Sequence, residues 1–295
     1  MRVTNSMMLQ STVRDLGTSL ARLQRSQTEL TTGRAIQRPS DDPSGAALAM
    51  DLRNELRRSD QRARSLDDAR GWLATADGAL TAGLDLLTRV KSIVVQASNT
   101  GAGAASSSAA LAAEVRSVRD EMVGLANAEY IDRSIFAGTQ VGPAFDASGA
   151  FLGNAGAVRR EVAPSVTIDV NVTAEAVFGD PSGPDGDLFA VLDRLATAIS
   201  SGDPNAIAAE HATFDVARER MTAATGTVGA RASRVDAIEA ANERHRFGVQ
   251  DSLSQIEDVD LAAALLDVRT RESAYTAALQ AAARVLPPSL VDYLR

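Results

Sequence analysis

Apolar side chains recur at alternating four- and three-residue steps through both ends of this chain, and that repeat constrains the fold most. Near the start it reads Leu9, Val13, Leu16, Leu20, Leu23, Gln27 and Leu30, apolar at six of seven positions. Near the end it reads Leu261, Leu265, Val268, Glu272, Tyr275, Leu279, Ala282 and Leu286. A seam this narrow, at this period, belongs to helices that pair along their length rather than to a helix lying on a globule. Each terminal helix therefore needs a partner, and the simplest partners are the other terminal helix and neighbouring copies of the chain.

Between the ends the pattern is also helical. Leu66, Ala69, Leu73, Ala76, Leu80, Leu84, Leu87, Val90 and Val94 mark the later part of a long helix from about Ser44 to Ser98. At 1.5 Å per residue it spans roughly 75–80 Å. The small-residue run Gly101 to Ser108 reads as a loop, and Leu111, Val115, Val118, Met122 and Leu125 mark a return helix. Period-two alternation at Val166, Ile168, Val170 and Val172, inside a Gly-, Pro- and Asp-rich stretch, predicts a strand between Val162 and Val172. Helical period resumes at Leu188, breaks at Gly202-Asp203-Pro204 and continues through His211, Phe214, Met221, Val228, Val235 and His245.

The expected class is mainly α, an elongated long-helix hairpin and coiled-coil bundle formed by both chain ends, with a small β-rich insert in the middle. The expected segments are a terminal assembly helix over 1–44, a helical hairpin over 45–137, the insert over 138–186, returning helices over 187–259, and a second assembly helix and tail over 260–295. Composition agrees: hydrophobic residues make up 45% of the 295, yet aromatics only 4%. Compact cores draw on large aromatic side chains, whereas Ala, Leu and Val suit long helices packed side by side.

Several function classes fall away on chemistry. A net charge of −8, from 38 acidic and 30 basic residues, opposes the phosphate neutralisation that nucleic acid binding requires. Without cysteine there is no disulfide framework and no thiolate chemistry. No stretch approaches the ~20 apolar residues of a membrane span, and the start at Met1-Arg2-Val3 leads into no apolar core suited to a cleaved signal. Asp41 and Asp42 lack the further oxygen ligands a hard cation needs. They read instead as a turn and a helix cap, with Pro43 at the first helical position and Gly33 and Pro39 as the preceding breaks. His211 and His245 lie 34 residues apart without cysteine nearby; each reads as a polar interruption of a seam rather than a zinc ligand. Gly226 and Gly229 lack the lysine ending of a phosphate loop and read as a bend or a close helix approach. No catalytic constellation, cofactor site or metal site is expected.

Several quoted segments carry a resemblance. Leu30-Thr31-Thr32-Gly33-Arg34-Ala35-Ile36, then Pro39-Ser40-Asp41-Asp42-Pro43 and Ala46-Ala47, resemble the N-terminal signature of the flagellin superfamily. Leu125-Ala126-Asn127, Phe136-Ala137-Gly138-Thr139 and Val228-Gly229-Ala230-Arg231 resemble further elements of it. Ser254 to Ala262 and the ending Ser289-Leu290-Val291-Asp292-Tyr293-Leu294 resemble its C-terminal signature. Pro39 and Pro43, where filament members carry alanine, and the opening Met1 to Met8 look more like the hook–filament junction branch; the ending looks like a filament flagellin.

The resemblance implies a structural part of the flagellum, exported unfolded without a cleaved signal and assembled through its terminal helices. It implies hook-associated protein 1 as partner on the hook side and flagellin on the filament side. It also implies copies of the chain itself in a ring, the flagellar type III export apparatus and an export chaperone. The expected assembly positions are Leu9, Val13, Leu16, Leu20, Leu23, Leu30, Leu261, Leu265, Val268, Tyr275, Leu279, Leu286, Leu290, Tyr293 and Leu294. A cytoplasmic coiled-coil scaffold explains the seams but not this ordered set of segments.

Overall fold

The computed structural model describes residues 5–99, 105–163, 166–183 and 186–285. Helix α1 covers Asn5–Thr32 and stops at Gly33, whose φ of 69° is the left-handed conformation that glycine adopts without a Cβ penalty. Its N–H closes the last turn on the Glu29 carbonyl at 2.9 Å. Helix α2, Pro43–Asn99, opens on proline, where the missing N–H costs no hydrogen bond. The Asp42 carboxylate accepts from the Ser44 N–H at 3.1 Å and the Ser44 hydroxyl at 2.7 Å. Hydrogen bonds from the Gly45 N–H and Ser44 hold its pKa below the ordinary 3.8.

Helix α3 is Ala105–Ala126. Residues 105–108, expected in a loop, are therefore helical. The alanine-rich run behind them favours helix strongly enough to carry it back through the serines, which are tolerated in a first turn.

Two short hairpins follow. Strands β1 (Glu129–Tyr130) and β2 (Arg133–Ser134) are joined by Ile131 and Asp132, both at positive φ, 47° and 58°. Positive φ at both central residues makes a tight hairpin turn, here without the usual glycine or asparagine. Strands β3 (Arg159–Ala163) and β4 (Val166–Asp169) pair antiparallel, with Arg160 opposite Ile168. The single strand expected from Val162 to Val172 is thus parts of two: Val162 belongs to β3, Val166 and Ile168 to β4, and Val170 and Val172 follow β4. The alternation at Val166, Ile168, Val170 and Val172 thus lies in β4 and runs past its end.

Helix α4 is Ala174–Phe178, and α5, Leu188–Ser201, runs from the Asp187 cap to Gly202 at φ 68°. Helix α6, Pro204–Glu257, passes through Gly226 and Gly229 without interruption, and a Cβ at either would meet nothing within 4 Å. The close approach expected there is absent, because both glycines lie on the exposed side of the helix. Helix α7 is Leu261–Val285, capped by Asp260 through the N–H groups of Ala262 and Ala263.

The chain forms two compact units: one joins its two ends, up to Arg58 and from His245, and the other is Ser59–Arg244. The Ser59–Arg244 unit has one core drawn from α2, α3, α5, α6 and the hairpin region. Trp72, Leu73, Leu80 and Leu87 of α2 meet Val115, Val118 and Met122 of α3, Leu188, Leu192 and Leu195 of α5, and Phe214, Met221 and Val228 of α6 in that buried cluster. Burial of each such side chain contributes ~1.5–3 kcal/mol. Arg89 of α2 pairs with Glu114 of α3 at 2.9 Å, and Arg70 pairs with Asp236 and Glu239 of α6 at 3.0 Å.

The hairpin region shares this core rather than forming one of its own: Val158, Val162, Ile168, Val170 and Val172 are buried in the same cluster. Buried Asn171 holds it by accepting from the Val158 N–H at 2.8 Å and donating to the Gly156 carbonyl at 2.9 Å. Arg231 of α6 donates to the Asn171 carbonyl, and Arg160 pairs with Asp68 of α2. Phe145 stacks edge-on with Phe178 and Phe189, at 5.1 Å in each case.

Candidate assembly interface

Helix α1 packs along α7, antiparallel, inside the unit formed by the two ends. The Ser26 hydroxyl donates to Asp267 Oδ2 at 2.7 Å, and the backbones of Arg34 and Asp258 bridge at the other end of the contact. On α1 the covered line is Thr12, Leu16, Ser19, Leu23, Ser26 and Leu30, partly or fully buried. On α7 it is Ala264, Val268, Arg271, Tyr275, Ala278 and Ala282. Both lines keep the four-three rhythm.

These lines take only half of each expected seam. Leu16, Leu23 and Leu30, seven residues apart, face the partner helix; Leu23 is 7% exposed. Val13 and Leu20, also seven apart, stay 63% and 37% exposed. On α7, Val268 and Tyr275 turn inward, whereas Leu265 and Leu279 remain 46% and 43% exposed. Leu261 and Leu266 add to the open surface. Each terminal helix thus spends one apolar column within the chain and leaves a second uncovered. Leu9 belongs to α1. Leu286, Leu290, Tyr293 and Leu294 lie outside the described residues.

The other expected positions gather where α1 gives way to α2. The Ala35 N–H donates to the Glu257 carbonyl at 2.7 Å, and the Val259 N–H donates to the Gly33 carbonyl at 3.0 Å. The α1–α2 connection is thereby zipped to the α6–α7 connection. Asp41 turns the chain by accepting from the Arg38 N–H at 3.0 Å and pairing with Arg25 at 3.4 Å. Arg53 of α2 pairs with buried Glu257, 2.6 Å away. A groove of about 650 Å³ opens here, with Ile36, Pro39, Ala46 and Met50 as apolar wall and Arg34 and Arg38 on its rim.

Sequence reasoning missed Arg53, Glu257, Ser26 and Asp267. No local spacing signals a polar pair whose members stand more than 200 residues apart. Asp267 is held below its ordinary pKa by Arg271 first and Ser26 second. His211 lies 3.6 Å from Asp215, and His245 lies 3.1 Å from Glu55. Among the described residues no three His, Cys, Asp or Glu stand together as a metal would require, and no helix is long and apolar enough to cross a membrane.

Residues 3–141 match the family model for the bacterial flagellin N-terminal helical region. The chain is flagellin-like. Over 95% of its length it is 23% identical to flagellar hook-associated protein 3 of Escherichia coli, covering 96% of that protein. It is 24% identical to flagellin of Bacillus subtilis across the full length of both. The crystal structure of FlgL from Bacillus cereus has the same fold, with a TM-score of 0.61 at 19% identity over 69% of this flagellin-like chain and 99% of that one.

Proposed function

We propose that this protein is a structural adaptor of the bacterial flagellum that joins the hook to the flagellin filament. The observation that carries the reading is the half-covered pair of terminal helices. Leu23 and Val268 close the contact within the chain, while Val13, Leu20, Leu265 and Leu279 present apolar columns to something else. Neighbouring copies in a ring, hook-associated protein 1 on the hook side and flagellin on the filament side complete those columns. Likeness to a hook-associated protein 3 along nearly the whole chain supports the junction position. The mechanism is packing, with no catalytic step, and the working location is outside the cell after flagellar type III export with an export chaperone.

Deleting the gene tests this reading. Hooks without filaments, with unpolymerised flagellin released into the medium, are the expected phenotype; normal flagella and motility overturn it. A second reading, filament subunit, is favoured by the end-to-end likeness to flagellin of Bacillus subtilis. It requires the purified chain to extend filament seeds and the deletion strain to release no flagellin.

A further inference from the structure

The groove between the α1–α2 connection and α2 sets apolar side chains beside two arginines. Apolar Ile36, Pro39, Ala46 and Met50 line it beside Arg34 and Arg38, while the Glu257 carboxylate that also lines it is already paired with Arg53. Both arginines are exposed, and among the described residues neither guanidinium has a hydrogen-bond or ion-pair partner. At about 650 Å³, the groove is in the size range of pockets that bury a drug-sized ligand, room for a few side chains of a docked segment.

The segments outside the described residues are 1–4, 100–104, 164–165, 184–185 and 286–295. Only the last joins several apolar side chains to a carboxylate, in Leu290-Val291-Asp292-Tyr293-Leu294. Reach decides which copy supplies it. The groove lies at the start of α7, beside the bridge between Arg34 and Asp258. From there α7 runs 25 residues away along α1, which places Val285 about 36 Å from the groove at 1.5 Å per residue. Seven residues separate Val285 from Asp292, and even fully extended they span only about 25 Å. A chain's own tail falls short, whereas the tail of a copy displaced along the helix axis does not.

We propose that the groove receives the Leu290–Leu294 segment of a second copy, with Asp292 between Arg34 and Arg38 and its apolar neighbours on Ile36, Pro39 and Met50. This rests on the assembly reading above and names the receptor for the tail. It links copies head to tail through a contact distinct from the open columns of α1 and α7.

The test uses full-length variants in cells lacking the native gene. Arg38→Glu is expected to lower incorporation at the hook tip by about tenfold, the scale of one rim ion pair turned repulsive, and Asp292→Arg in the same chain is expected to restore it. The chain has no cysteine, so a Met50→Cys copy and a Tyr293→Cys copy expressed together should form a disulfide between copies. A single chain carrying both substitutions, diluted as monomer, should form none. Normal incorporation of Arg38→Glu, or incorporated cysteine variants that yield no disulfide between copies, overturns the groove assignment. Normal incorporation of a chain lacking residues 287–295 overturns instead the reading of the tail as an assembly element. Loss of incorporation with silent Arg38→Glu shows that the tail docks on another protein or surface.

Discussion

Arg53 of α2 holds the buried carboxylate of Glu257 with one nitrogen, Nη2 lying 2.6 Å from Oε1 and 2.8 Å from Oε2. The Glu257 carbonyl meanwhile accepts from the Ala35 N–H. One residue at the end of α6 therefore anchors both the start of α2 and the chain leaving α1. Replacing Arg53 by alanine strands a buried carboxylate, a change that costs about 1–3 kcal/mol. The figure stays below that of a fully buried pair because Arg53 is itself part-exposed. Urea unfolding should show the midpoint fall for Arg53→Ala, with partial recovery in Arg53→Lys. An unchanged midpoint excludes the anchor.

The two columns of α1 should separate on mutation. Leu23→Ala opens a cavity in the α1–α7 contact and is expected to destabilise the end-joining unit by about 2–5 kcal/mol. Leu20→Ser, on the open column, is expected to shift stability by no more than about 0.5 kcal/mol while abolishing incorporation at the hook tip. Equal effects of the two on stability contradict the division of the seam.

Two glycines at the α1–α2 connection have different reasons to resist substitution. Gly33→Ala forces a side chain into φ 69° and should cost about 1–2 kcal/mol. Gly45→Ala places a Cβ against the Asp42 carboxylate and the Ile36 side chain, so about 1–3 kcal/mol of overpacking is expected. Thermal melts of the purified variants check both; a melt matching the parent chain for Gly45→Ala means that the cap relaxes freely.

Acid should loosen the α1–α7 contact. Asp267 has a pKa below the unfolded value of 3.8 because Arg271 and Ser26 bind its charged form. A depressed folded pKa contributes stability that is present above 3.8 and lost as pH falls through the lower folded value. Urea midpoints followed from pH 6 down to pH 2 should therefore start lower in Asp267→Asn and fall less than in the parent chain. Above pH 4 the Asp267 contribution should stay constant. Superimposable curves remove Asp267 from the contact.

Much of this architecture is legible in the residues. The seams announce long helices at both ends, Asp42-Pro43 marks the start of α2 and Gly202-Asp203-Pro204 the break before α6, because helix period and capping are local properties. The β1–β2 hairpin was not legible: Ile131 and Asp132 sit at positive φ without a turn signature. There the tertiary setting overrides the local preference, with Tyr130 stacked edge-on 6.1 Å from Trp72 and the Arg133 guanidinium 5.6 Å from the Trp72 ring centre.

The sequence by itself determined that Leu16, Val13, Leu20 and Leu23 share one narrow apolar stripe, since helical period alone puts them there. Only the tertiary structure decided that Leu23 turns to α7 while Val13 and Leu20 stay open, because the choice depends on how far α1 is rotated against its partner. The rotation follows from contacts with no local signal: Ser26 on Asp267, Gly33 on Val259, and Glu257 on Ala35 and Arg53.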